Sequence, residues 1–468
     1  VTDLAIARYA VLAVPVIALG AAAYPLRHSK RTGGALLLAF LTALVGVAAL
    51  DRLARQVGWW SFPPVSGAFD GLPVDLWLGW AVLWGPLPVA VGRLLSGHWP
   101  AWLRTPVLLA AVGWVDAVTM PALTPLTDLG SGWGWGEVLG LLLVATPAVV
   151  LGECTASRHH LRLRVVLQLT LFSALVFWLL PTVVMDLGGG FWSAVVRAPR
   201  WWQSVLAQAA LLAAVPGLAA VREFVERGGG TPYPWDPPER LVTTGPYAYL
   251  ANPMQVSATL LTGVLAIATA SWAVAAAAVM TVVFSEAVAE KHEDDDLRRR
   301  YGPEWAAYRS RVRRWVPRRR PAVFSPATLY VDLGCAQCRE LYRAFDRRVP
   351  VGLSLVDARE YPGALRRVRY ERGDGVVADG TAAVALAAGH VDAGLAMLGW
   401  LARLPGLGWL VARVADTMGL GPSADPVGRG LPSAAGTSPA TEGAPEYGCP
   451  PDAAPVNGEG WRRTPGSV

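Results

Sequence analysis

The chain has 468 residues, 53% hydrophobic and only 16% charged, with 41 Lys+Arg against 35 Asp+Glu. The charged share lies well below the ~25% of ordinary soluble domains, and a mean hydropathy of +0.37 excludes a disordered chain and an ordinary soluble enzyme. Four cysteines exclude a disulfide-stapled secreted domain, and a net +6 in which only Lys30 and Lys291 are lysines reflects an Arg-, Ala-, Gly- and Pro-rich bias rather than a nucleic-acid partner.

A helix crosses ~30 Å of hydrocarbon with about 20 apolar residues. By that rule residues 4–24, 35–50, 72–94, 106–126, 138–155, 165–185 and 201–221 are candidate spans. The first has no small-residue cleavage site and reads as a helix, not a signal peptide. Tryptophans at Trp59/Trp60, Trp99/Trp102, Trp133/Trp135 and Trp201/Trp202 sit near span ends, where interfacial anchoring accounts for them. His159-His160 has no acidic or cysteine partner in sequence and reads as loop, so no metal site is expected.

Residues 254–285 carry no charge. One helix of that length would measure about 48 Å, too long for a simple crossing, whereas a hairpin turning near residues 268–272 gives two short spans. Charge decides between them. Arg27/Lys30/Arg31, Arg93/Arg104, Arg158/Arg162/Arg164 and Arg222/Arg227/Arg240 follow the odd-numbered spans, while the alternate loops hold only Arg52, Arg55, Arg197 and Arg200. The asymmetry predicts a cytoplasmic side for the first set and an outside N-terminus. The hairpin keeps Arg298–Arg300 and the basic run 311–320 inside, for nine spans in all.

A polar stretch, 223–253, precedes the hairpin and ends Gly245-Pro-Tyr-Ala-Tyr-Leu-Ala-Asn-Pro253. Gly245-Pro246 signals a turn, and Pro253 suits the first turn of the next helix. After the hairpin, Glu286, Glu290 and Glu293 share one helix face by their i, i+4, i+7 spacing. Then come Asp294, Leu297, Tyr301-Gly302, Trp305, Tyr308 and Pro317. On its own the acidic run reads as a solvated helix face, and Gly-Pro-Tyr as a loop.

Taken together, Gly245-Pro-Tyr-x-Tyr-x-x-Asn-Pro253, a short hairpin and Glu293-Asp-x-x-Leu-x-x-x-Tyr-Gly-x-x-Trp-x-x-Tyr308 resemble the isoprenylcysteine carboxyl methyltransferase superfamily. That superfamily includes phospholipid N-methyltransferases and NnrU-like proteins, and the resemblance covers roughly residues 200–320. It implies a membrane methyltransferase using S-adenosyl-L-methionine, with Gly245, Pro246, Tyr247, Tyr249, Asn252, Pro253, Glu290, Glu293 and Asp294 as cofactor-binding residues. The chemistry fits these types: in-line displacement at a sulfonium methyl needs orientation and dryness rather than a metal. Aromatic faces at Tyr247 and Tyr249 could contact the sulfonium, and Glu290 or Glu293 could accept hydrogen bonds from the ribose or amino group. Ala248 and Ala251 replace two arginines of the family pattern, Gln255 a tyrosine and Asp294 a second glutamate, leaving the methyl acceptor open.

Beyond Pro317, residues 327–332 read as a buried strand, followed by Cys335-Ala-Gln-Cys338 and a helix over 339–347. A second strand covers 351–356, ending at Asp357, and residues 375–380 turn toward an alanine-rich helix over 381–388. Strand, Cys-x-x-Cys, helix is a thiol-redox arrangement in which the helix N-terminus stabilises the first thiolate and the second thiol resolves the mixed disulfide. An inert structural pair and half a metal site are the other readings. Tyr330-x-Asp332-x-x-Cys335-x-x-Cys338, Asp357 and Asp379-Gly380-x-x-Ala383 resemble the DCC (DUF393) thiol-disulfide oxidoreductase-like family over about residues 326–420, which implies Cys335 and Cys338 as catalytic.

The expected fold is an all-α polytopic membrane protein of about nine transmembrane helices with a cytoplasmic α/β thioredoxin-like domain. Residues 1–200 form an accessory bundle, 201–320 the methyltransferase core, 326–420 the thioredoxin-like domain, and 421–468, which include Cys449, a disordered tail. The expected partners are the lipid bilayer, a lipophilic or membrane-presented substrate and a cytoplasmic thiol partner. Rival readings are a membrane thiol-redox or thiol-binding protein with a scaffolding methyltransferase region, and a non-catalytic assembly factor.

Overall fold

The computed structural model of the chain describes residues 2–233, 238–420, 422 and 425–429, apart from the side chains of residues 2–4, 284, 288–293 and 419–420. Most of the expected tail, with Cys449, lies outside the described residues. Seven helices are long and apolar enough to cross a membrane: α1 (Ala5–Leu26), α2 (Lys30–Val57), α3 (Val74–Gly97), α4 (Ala101–Ala122), α5 (Trp133–Ser157), α6 (Leu161–Gly188) and α7 (Arg200–Gly228). Each contains or largely overlaps one of the seven apolar stretches read from the sequence. Large apolar side chains point outward on them, among them Ile17, Trp114, Leu143, Val166 and Leu212, as hydrocarbon-facing helices require. This is a predominantly helical, multi-pass membrane architecture.

The uncharged run forms a hairpin of α8 (Pro253–Thr269) and α9 (Trp272–Phe284). Ala270 takes the left-handed conformation that ends α8, and Ser271 caps α9 by accepting the Val274 N–H at 3.3 Å. These helices have 17 and 13 residues. Seven helices rather than nine therefore reach spanning length among the described residues. From α9 the chain runs through a wide helical turn into α10 (Glu290–Arg311). Gly302 breaks α10 at φ +50° and ψ −124°, a conformation only glycine adopts without strain.

The expectation for Trp60 needs correcting. It is buried, and its indole donates to Asp51 at 3.2 Å, in a core where Trp80 also donates to Asp116 at 3.2 Å. A buried carboxylate needs donors, and indole N–H groups supply them. Trp102, Trp135 and Trp201 are exposed.

The C-terminal region is built on a four-stranded sheet of β1 (Ala327–Val331), β2 (Leu353–Asp357), β3 (Arg369–Arg372) and β4 (Val377–Asp379). Its order is β2-β1-β3-β4. The β1–β2 pair is parallel, with Leu329 opposite Leu355, and the other pairs are antiparallel. Alternation along β1 buries Ala327, Leu329 and Val331. Helix α11 (Ala336–Asp346) connects β1 to β2, and α12 (Thr381–Ala388), α13 (Ala393–Ala402) and α14 (Leu407–Ala415) follow β4. Strand β3 escaped the sequence reading because Arg369, Glu371 and Arg372 mask its strand character. Beyond α14, Val427 bridges back to Leu365.

The C-terminal region packs on the membrane core. Ala396 and Trp400 of α13 share a buried cluster with Val215 and Ala219 of α7. Arg227 reaches Asp374 at 3.1 Å, and Arg222 donates to the carbonyl of Arg403.

Candidate functional site

The polar loop before the hairpin is held on three sides. Behind it, the buried Glu223 of α7 accepts from Thr244 at 2.7 Å and Arg227 at 3.0 Å, and pairs with Arg403 at 3.4 Å. Gly245 packs on that carboxylate at φ +60°, and a Cβ there would stand 2.6 Å from Glu223 Cγ. Only glycine satisfies both demands. Pro246, Tyr247 and Ala248 complete a buried single turn.

In front, the chain returning from α10 straps the loop down. Ala251 N–H donates to Arg313 O at 2.8 Å, Arg318 N–H to Tyr249 O at 3.0 Å and Ala322 N–H to Ala248 O at 2.8 Å. The Tyr308 hydroxyl donates to Tyr247 O at 3.0 Å. Ala251, Trp305, Tyr308 and Val312 share one buried cluster. The two motif halves, separated in sequence by the hairpin, are thus adjacent in space.

The third side is polar. Asn252 Nδ2 donates to Gln255 Oε1 at 3.1 Å, and Ser285 Oγ donates to the same oxygen at 2.9 Å, linking the start of α8 to the end of α9. Pro253 is buried in the first turn of α8. Glu286 is exposed and accepts from the Trp315 indole. Asp294 accepts from the Trp305 indole at 3.0 Å and Arg314 at 3.4 Å, with Arg298 2.9 Å from its other oxygen. Glu290 and Glu293 begin α10, but their side chains lie outside the described residues.

The tyrosines expected to face a sulfonium are placed differently. Tyr247 is buried beside Phe224, with ring centroids 6.3 Å apart. Tyr249 is buried against Trp400, and its hydroxyl donates to Gly389 O at 3.0 Å. Both rings are buried where α7, the return segment and α13 cover the loop. Asn252, Gln255, Ser285 and Glu286 place two side-chain amides, a hydroxyl and a carboxylate at the start of α8 and just past the end of α9. Sequence reasoning noted Gln255 only as a departure from the family pattern and gave Ser285, Glu223 and Arg314 no role. The one signal for Glu223 was a carboxylate closing an apolar helix with an arginine four residues on.

Cys335 caps α11, its Sγ accepting the Cys338 N–H at 3.5 Å. That bond holds the Cys335 thiol below the ordinary cysteine range. Burial, with Cys335 alongside, pushes Cys338 up to about 12. Cys335 is thus the more acidic thiol of the two. Among the described residues no group of three His, Cys, Asp or Glu could hold a metal ion.

Residues 230–304 match the family model for phospholipid methyltransferase. The match runs from the polar loop through the hairpin into α10 and ends before the C-terminal sheet region. No curated protein and no solved structure matches the chain. Coinciding with a hairpin packed against a multi-pass helical bundle, the match points to a membrane methyltransferase.

Proposed function

We propose that residues 201–320 form an S-adenosyl-L-methionine-dependent membrane methyltransferase acting on a lipophilic or membrane-presented acceptor. The observation that carries this reading is the meeting of the motif halves: the phospholipid methyltransferase match covers the loop and the start of α10, which the Tyr308–Tyr247 hydrogen bond and the 313–322 strap hold together. Asn252, Gln255, Ser285 and Glu286 would hold the polar ends of the cofactor, with Glu290 and Glu293 one and two turns further along the same helical path. When bound, the cofactor supplies an electrophilic methyl carbon. The chain's part is to orient it, keep water out through the buried Gly245–Tyr249 turn, and compensate positive charge with the acidic start of α10.

A quinone, isoprenoid, phospholipid amine or thiol would each suit a site at the mouth of a membrane hairpin. In this reading the odd loops and the C-terminal region face the cytoplasm, and residues 1–200 are an accessory bundle. The test is transfer of a labelled methyl group from the cofactor to lipid-extractable material by protein in nanodiscs of native lipid. The proposal expects label that Asn252→Ala abolishes. No label above that of the Asn252→Ala protein would contradict it.

One specific observation favours a second function alongside the first. Cys335 caps the N-terminus of α11 and its Sγ accepts the Cys338 N–H, an arrangement that suits a thiol–disulfide module spanning residues 326–420 with a cytoplasmic thiol partner. Cys335→Ser should abolish exchange with small disulfides and leave methyl transfer intact.

A further inference from the structure

Beside the dithiol, the C-terminal region holds a cavity of about 900 Å³, at the upper end of the ~300–1,000 Å³ usual for small-molecule sites. Its walls are mainly apolar: Leu341 and Phe345 of α11, Val384 of α12, Leu395 and Leu398 of α13, and Met418. Cys335 and Cys338 both line it. Charge enters through Glu340, Arg348, Arg366 and Arg367, the last ion-paired with Asp416 at 2.8 Å. An apolar space of this size next to a nucleophilic thiol suits a long hydrocarbon chain better than a polar peptide or a small hydrophilic thiol.

The position of the outer wall says where such a chain comes from. Helices α13 and the following Leu407–Met418 segment meet at 96° and together are apolar enough for a broken span or a re-entrant loop. Helix α13 packs on α7, itself of spanning length. The outward face of the pair carries Leu398, Trp409, Leu410, Val414 and Met418, all exposed. Leu398 and Met418 belong to both surfaces, lining the cavity while facing out. The cavity thus shares its outer wall with this exposed apolar face.

We propose that this cavity seats the hydrocarbon chain of a membrane-borne lipophilic disulfide, with its sulfur end at Cys335 Sγ. The proposal deepens the dithiol reading by naming its substrate class and is independent of methyl transfer. Cys335 Sγ attacks one substrate sulfur, the substrate S–S bond breaks, and the departing thiolate takes a proton from solvent. Cys338 then loses its proton and attacks Cys335 Sγ, closing the protein disulfide and releasing the second thiol. The substrate gains the two electrons that the dithiol loses.

The probe is a series of N-alkylmaleimides, from ethyl to dodecyl, reacted with full-length protein in nanodiscs. Modification at Cys335 is read by peptide mass spectrometry and normalised to a lipid-anchored model thiol in the same discs. The rate should rise about tenfold or more along the series, an effect that burying about two methylene groups supplies. Leu398→Arg, which sets a charge at the outer wall of the cavity, should flatten the rise, and Ala344→Phe should do so by filling the cavity, each variant being compared only where it unfolds cooperatively. A wild-type rate independent of chain length, or a rise unaltered in both variants, would overturn the cavity assignment while leaving the nucleophile in place. Failure of even the ethyl reagent at Cys335 would overturn it together with the dithiol reading.

Discussion

The ring of Tyr249 meets the ring of Trp400 edge-on, with centroids 5.6 Å apart and planes at 81°. Edge-to-face pairs add ~0.5–1.5 kcal/mol to their area burial, and this one joins the candidate methyltransferase loop to α13 of the C-terminal region. Trp400→Ala should destabilise the protein by about 3–5 kcal/mol. Tyr249→Phe, which removes only the bond to Gly389, should cost about 1 kcal/mol. Thermal unfolding of the two variants in detergent checks the ranking, and equal losses would mean that the ring contact contributes little.

Asp294 gathers Trp305, Arg314 and Arg298 around one carboxylate. Asp294→Ala leaves the Trp305 indole N–H without its acceptor and removes one partner of Arg314, at a cost of about 1–3 kcal/mol. Because Arg314 O also accepts the Asn252 N–H at 3.4 Å, the loss should reach the loop. Faster proteolysis within residues 311–320, relative to wild type, is the expected readout.

Gly302 carries φ +50°, so any side chain there is strained. Gly302→Ala should lower stability by about 1–2 kcal/mol. A Gly302→Ala protein as stable as wild type would show that the break in α10 is not required.

Cys335 should alkylate faster than Cys338 at every pH from 6 to 9, on the order of the range in which ordinary thiols near pKa ~8.5 titrate. The midpoint of its pH–rate profile should fall below that of a free cysteine, because the Cys338 N–H favours the thiolate. A midpoint at or above the free value would contradict the cap.

His390 supplies the pH dependence of the sheet region. Burial, aided by the Arg372 charge and against the pull of the Val351 carbonyl, holds its pKa below the usual 6.5. Its ring nitrogens bond the Tyr370 hydroxyl at 2.8 Å and Val351 O at 2.9 Å. The unfolded chain therefore binds the proton first as pH falls. The stabilising contribution is complete above 6.5 and declines as pH drops from there through the folded value, by at most ~1.4 kcal/mol per pH unit. His390→Gln should flatten the pH dependence of unfolding in this window even if its baseline stability is lower.

The hairpin was legible because an uncharged run too long for one crossing must turn, and Ala270-Ser271 is where it does. Gly245 was legible as a turn because Gly-Pro marks one, and the position does take positive φ. The uses of Trp60, Tyr249 and Glu223 were not. Each depends on a partner brought up by tertiary packing, for Tyr249 as distant as Trp400, and an aromatic in a polar loop carries the same local pattern whether it faces a ligand or a neighbouring helix. Strand β3 was hidden for a related reason: its charged residues find partners once the strand forms, where Arg369 pairs with Glu371 two residues along and with Asp379 of the neighbouring strand.

The most direct test of the central claim is calorimetric titration of S-adenosylhomocysteine into the detergent-purified protein, with Asn252→Ala and Glu293→Ala proteins alongside. The account predicts micromolar binding by the wild type, abolished by Asn252→Ala and weakened at least tenfold, about 1.4 kcal/mol, by Glu293→Ala. Absence of binding by a wild-type protein that unfolds cooperatively would contradict a working methyltransferase site.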